Sequence, residues 1–204
     1  MYVIPLELIF KGERNYVQSA DIYNEIANHL EFKFGNREVL NFRMDLHRFV
    51  ATQCNLIINN TKSTINKTSE YFGEIHFTTK EGTITGWLLE GKSPIKMRNS
   101  YNEDIIQKHS EYTEKKVSLK ENLGYRPMEI IVSLTKHLHN YLYPNLNGKW
   151  IFTKIELKRL LISGDIDIDI ELQHNFQNRL TKSVIKIGRE QIGYIYFSHL
   201  SGGN

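Results

Sequence analysis

The chain repeats itself, and a duplicated pattern restricts the fold more tightly than any single motif does. At a constant offset of 108, as from His29 to His137, the pairs Glu13/Glu121, Asp21/Glu129, Ile22/Ile130, Ile26/Leu134, His29/His137 and Leu30/Leu138 coincide. Farther on the offset becomes 111, and Asp45-Leu46-His47-Arg48-Phe49 faces Glu156-Leu157-Lys158-Arg159-Leu160. Near the end of each half Gly86-Trp87-Leu88-Leu89 answers Gly193-Tyr194-Ile195-Tyr196. Three blocks in one order predict two halves of one topology, residues 1–91 and 116–204. The polar stretch 92–115, with Pro94 and little apolar periodicity, is expected to be the crossover, with a short helix near Glu103–His109.

Both halves follow one grammar. Val3–Phe10 has the β-branched, apolar character of a strand. Ser19 is the expected N-cap of a helix whose stripe is Ile22, Ile26 and Leu30. After a turn at Gly35-Asn36 come a long strand segment, Leu40–Ile58, and a hairpin of Glu70–Thr79 with Thr83–Leu89. The second half reads as a helix over Met128–Tyr141, strands over Trp150–Ile162 and Asp165–Gln173, and a hairpin of Lys182–Ile187 with Ile192–Phe197. In Asp165-Ile-Asp-Ile-Asp-Ile-Glu171 the strict alternation predicts a strand with one apolar and one acidic face, neutralised by Lys154, Lys158 and Lys182, rather than a calcium loop.

Composition narrows the function classes. The 204 residues are long enough to bury a core, and 40% hydrophobic with 24% charged excludes a disordered chain. A net charge of +3 with mixed signs gives no field for nucleic acid. No apolar run approaches the roughly 20 residues a membrane helix needs, and the segment from Met1 lacks the features of a signal peptide, so a cytoplasmic chain without membrane insertion is expected. Cys54 is the lone cysteine, which leaves no disulfide, and it reads as a small core residue. His137 and His139 are spaced wrongly for one helix face, and no metal site is expected. His29 and His137 read as packing or helix C-terminal residues.

One helix amid a run of antiparallel strands, twice in one chain, resembles the double hotdog arrangement, an α+β fold of the acyl-thioester-processing superfamily. The resemblance rests on element order and duplication over about residues 3–91 and 116–200. A pair of ferredoxin-like units would need a second helix in each half, and none is predicted after Thr79 or Gln173. The resemblance implies a tandem hotdog, each half a curved antiparallel sheet around one central helix. It also implies a substrate on coenzyme A or an acyl carrier protein, as in fatty acid or polyketide metabolism, an acyl tunnel between units, and no cofactor. A monomer or homodimer follows, because the pairing that single units gain by dimerising is already present.

In such proteins the catalytic group lies at or just before the central helix, here Arg14-Asn15-Tyr16-Val17-Gln18-Ser19-Ala20-Asp21. The resemblance nominates Asp21 as general base, Tyr16 and Gln18 as groups that orient a carbonyl or a water, and Arg14 and Ser19 as substrate contacts. Ser19 and Asp21 read equally well as ordinary helix caps. The second half offers Gly124-Tyr125-Arg126-Pro127-Met128-Glu129, where the polar approach is lost, so the first half is the favoured site. Arg48 and Arg159, on corresponding strands beside Arg43, Lys154 and Lys158, are the expected contacts for a carrier or for coenzyme A phosphates. The His-x-x-x-Gly-x-Pro and Asp-x-Asn-Pro-x-His patterns of hotdog dehydratases and hydratases are absent. Thioester hydrolysis therefore leads; a non-turnover acyl-binding module, and dehydration with His47 or His76 as partner to Asp21, remain open.

Overall fold

The computed structural model describes residues 2–35, 37–59 and 68–201. Met1 and Asn36, which figure in the leader and turn readings, lie outside the described residues. The chain divides into two compact units, Met1–Tyr101 with Leu157–Leu160, and Asn102–Glu156 with Leu161–Asn204.

Unit 1 runs β1 (Tyr2–Leu6), β2 (Phe10–Lys11), α1 (Ser19–Phe34), β3 (Leu40–Leu46), β4 (Thr52–Asn59), β5 (Tyr71–Thr79), β6 (Gly82–Pro94) and β7 (Arg98–Asn99). Its sheet has the order β1-β4-β6-β5-β3, antiparallel throughout. The expected Val3–Phe10 strand stops at Leu6. Beyond it the Gln53 side chain replaces the ladder, accepting from Leu8 N at 2.8 Å and donating to Leu8 O at 3.0 Å. The expected Leu40–Ile58 strand is two strands, parted at residues 47–51. There Arg48 pairs with Glu90 and donates to the carbonyls of Ser69 and Glu70, while Glu90 accepts from Ala51 N. The α1 stripe packs inward: Ile22, Ile26 and Leu30 are buried, and Tyr23 meets Phe42 of β3 edge-on at 5.4 Å.

Unit 2 runs α2 (Asp104–Lys108), β8 (Glu111–Thr113), β9 (Lys116–Leu119), α3 (Pro127–Leu142), β10 (Lys149–Arg159), β11 (Ile168–Phe176), β12 (Leu180–Ile187) and β13 (Glu190–Leu200). The stretch read as a polar crossover thus holds β7, α2 and β8, and Lys136 of α3 pairs with Glu103, the residue before α2, at 2.5 Å. Ile130, Leu134 and Leu138 are buried, as the matching α1 residues are.

The two halves share element order but not strand order, which corrects the expectation of one topology. From β10 outward the unit 2 order is β10-β13-β12-β11-β9-β8, so β12 lies between β11 and β13. Its counterpart β5 instead pairs with β3 and β6, and β6 pairs with β4. The cause is a turn. Gln177 and Asn178 both have positive φ, 54° and 57°, and Asn178 N donates to Asn175 Oδ1. That conformation matches the twist of a tight hairpin and forces β11 against β12. In unit 1 residues 60–70 separate β4 from β5, long enough for β6 to come between.

The acidic strand also differs from the reading. Asp165 and Asp167 precede β11; Asp165 is buried and accepts from Ile162 N at 2.9 Å. Asp169 and Glu171 are neutralised by Lys116 and Lys186, at 2.6 and 2.9 Å, whereas Lys154 pairs with Glu156 and Lys182 sits over the Tyr194 ring.

Candidate active site

Gln18 is the N-cap of α1, with extended backbone (φ −72°, ψ 138°), and Ser19 is the first helical residue, one position later than its expected role. Gln18 O accepts from Asp21 N at 3.0 Å and Ile22 N at 3.2 Å, while its side chain makes no cap bond. The approach loop is pinned upstream: Val17 N donates to Val50 O at 2.9 Å, and the Tyr16 ring packs at a tilt against Phe49, centroids 4.6 Å apart.

Asp21 is 8% exposed in the first turn of α1. Lys11 donates to its Oδ1 at 2.6 Å, and both side chains are nearly buried. An ion pair removed from water must offset the desolvation of both partners, which requires close geometry. That geometry comes from a small parallel ladder, Phe10 opposite Arg98 and Lys11 opposite Asn99. Arg98 fastens it by donating to Gly12 O at 2.5 Å and Arg14 O at 2.7 Å. Gly12 has φ +56°, which glycine adopts at no steric cost. Tyr101 lies beneath, its ring centroid 5.4 Å from Lys11 Nζ and 5.7 Å from the Arg14 guanidinium.

Two amides complete the helix start. Gln18 Nε2 and Asn24 Nδ2 are buried and have no hydrogen-bond partner among the described residues. A buried amide N–H left unpaired costs about 1–3 kcal/mol, so two of them at one helix start call for an acceptor. Asp21 and Asn24, three residues apart, neighbour each other on the helix surface. Asn24, Lys11 and Arg98 were not nominated from the sequence.

The remaining nominated residues lie elsewhere. Arg48 serves as the clamp of the 47–51 break, through Glu90 and three backbone carbonyls, so its role here is to hold the chain. Burial pushes the Glu90 carboxyl up, but bonds from Arg48, Ala51 N and Thr52 hold it below its ordinary value. Arg159 donates to Leu160 O at 3.0 Å. His47 lies 3.2 Å from the Tyr71 hydroxyl, and His76 lies 3.1 Å from Thr85 Oγ1 and 3.4 Å from Glu74. Cys54 is a core residue whose thiol is pushed up to about 12 by burial and then by Glu90.

At the start of α3, Glu129 has another task. Its Oε2 accepts from Arg126 N at 2.8 Å, closing a capping box, with Pro127 as the first helical residue.

No family model matches the sequence, and no curated protein does. Solved structures share the fold. The tesB protein of Mycobacterium avium subs paratuberculosis superposes with a TM-score of 0.51 at 6% identity, over 97% of this chain and 91% of that one. The dehydratase domain of PpsC from Mycobacterium tuberculosis, solved in complex with C12:1-CoA, gives 0.51 at 8% identity, over 98% and 93%. A second structure of that PpsC domain gives 0.50 at 9%, over 98% and 88%. The chain therefore has the hotdog fold. No described helix is long and apolar enough to cross a membrane.

Proposed function

We propose that this protein hydrolyses an acyl thioester, carried on coenzyme A or an acyl carrier protein, at the start of α1. One observation carries the reading: the helix start that holds the buried Asp21 also holds two buried amide donors, Gln18 Nε2 and Asn24 Nδ2, without partners among the described residues. Asp21 takes a proton from a water, and the water oxygen bonds to the thioester carbonyl carbon. The carbonyl oxygen gathers negative charge, which the amide N–H groups of Gln18 and Asn24 are suited to meet. The C–S bond then breaks. The thiolate leaves and takes the proton that Asp21 accepted, which gives the free thiol and restores the carboxylate, and the acyl group departs as a carboxylic acid.

Tyr16, packed against Phe49, and Arg14, over Tyr101, stand on the approach to the helix and serve as positioning groups. The fold supports the substrate class, since the PpsC neighbour was solved with an acyl-CoA. Dehydration is the second reading, because that neighbour is a dehydratase domain. Hydrolysis is favoured over it by the engagement of His47 with Tyr71 and of His76 with Thr85 and Glu74.

The test is a panel of acyl-CoA and acyl-carrier substrates, assayed for free thiol and for enoyl absorbance. The expected result is thiol release without enoyl absorbance, lost at least about 100-fold in Asp21→Asn. Enoyl product would move the protein to dehydration, and tight binding without turnover would make it an acyl-binding module.

A further inference from the structure

The Lys11–Asp21 pair is more elaborate than a surface ion pair. Lys11 is nearly buried, sits on a two-residue strand, and is held there by a parallel partner strand and by Arg98, 86 residues from Gly12. So short a ladder adds little stability of its own. Its placement instead delivers one ammonium to one carboxylate at the head of the central helix.

We propose that Lys11 is a positioning residue that keeps Asp21 ionised and so commits the site to base chemistry. The proposal rests on the reading of Asp21 as the general base and extends it to a residue in another element. A cation at 2.6 Å in a nearly buried setting favours the carboxylate over the carboxylic acid. A carboxylate can accept a proton from water. It cannot supply one to a departing hydroxyl, as dehydration of a 3-hydroxyacyl thioester demands. Lys11 thereby selects between the two reaction classes that share this fold. Its contact on Oδ1 also fixes the carboxylate's rotation about the side-chain bond, which sets where the other oxygen lies.

The experiment uses the full chain labelled with carbon-13 at the aspartate carboxyl, so that its readout is independent of turnover. The Asp21 resonance is assigned by its loss in Asp21→Asn and titrated in the wild type, Lys11→Met and Lys11→Arg. The midpoint is expected to rise by at least about one pH unit in Lys11→Met and to stay in place in Lys11→Arg. On an active substrate the acidic limb of kcat/KM moves by the same amount in Lys11→Met, and activity recovers as pH rises. An unmoved midpoint, with activity lost equally at every pH, overturns the proposal and makes Lys11 a structural residue only. If Lys11→Met does not fold, Lys11→Gln and Arg98→Ala are read the same way, and an unmoved midpoint in both overturns it. A midpoint that moves while Asp21→Asn keeps full turnover overturns the general-base reading of Asp21 and leaves the Lys11 coupling standing.

Discussion

The first turns of α1 and α3 hold equivalent carboxylates that face different tasks. Glu129 turns back on its own helix and accepts from Arg126 N, so its charge completes a cap. Asp21 meets Lys11 of β2, and its helix start carries two amides without partners among the described residues. The two helix starts thus carry an acid at the matching position for two reasons. In α3 the backbone supplies a partner for the carboxylate; in α1 a second element supplies a charge, and amide donors remain at the helix start. The lesson is that a first-turn acid is diagnosed by its partner, since its helix position alone is compatible with either role.

The largest expected effect separates these two tasks by stability. Removing Lys11 takes the paired cation from a nearly buried carboxylate, so Lys11→Met should cost about 3 kcal/mol or more in chemical denaturation. A cost below about 0.5 kcal/mol would place the pair among ordinary surface ion pairs and break the comparison.

Acid should then distinguish the units. His139 is fully buried against Trp150 at 4.4 Å and Phe197 at 5.4 Å, neither ring nitrogen has a partner among the described residues, and burial holds it down at about 3. Its counterpart at the 108 offset is Glu31, which is exposed. With the folded value below the unfolded one near 6.5, the unfolded state binds more protons between them. Stability is therefore full above about pH 6.5 and falls as pH drops toward 3, by at most about 3 kcal/mol at pH 4. Trp150 fluorescence, followed in a Trp87→Phe background, should report this loss, and His139→Phe should flatten it. A slope unchanged by that substitution would refute the assignment to His139.

The smallest effect tests the cap. Glu129→Gln keeps an acceptor for Arg126 N, so the expected loss in thermal unfolding is about 0.5 kcal/mol, and Glu129→Ala should cost about 1 kcal/mol. A loss of about 3 kcal/mol in Glu129→Gln would show a buried charge pair in α3 as well.

Local patterns carried much of the fold. The stripes Ile22, Ile26, Leu30 and Ile130, Leu134, Leu138 are buried because a period near 3.6 has one way to meet a sheet. Strand order was beyond such patterns. It depends on whether consecutive strands meet through a tight turn, and the left-handed pair Gln177 and Asn178 lacks the glycine that usually announces one. Asp165 was misplaced because alternation continues through a turn as easily as through a strand. At the site, Asp21 and Gln18 stood out as polar residues entering an apolar helix. Lys11 did not, since a lysine after a short apolar run reads as a solvated strand end. The Arg98 bonds that position it span 84 and 86 residues. Asn24 reads as an ordinary polar residue until its burial is known.

The proposed chemistry resides at the first helix start and leaves Glu129 of α3 a structural role. It is tested most directly by measuring kcat/KM for thioester hydrolysis in Asp21→Asn and Glu129→Gln side by side, each with its unfolding midpoint. Asp21→Asn should lose at least about 100-fold while remaining folded at the assay temperature, because the amide keeps the shape but accepts no proton. Glu129→Gln should keep the wild-type rate within about twofold, with only the stability change of a weakened cap. Equal losses in the two variants would mean two working sites, and an undiminished rate in Asp21→Asn would remove Asp21 from the chemistry.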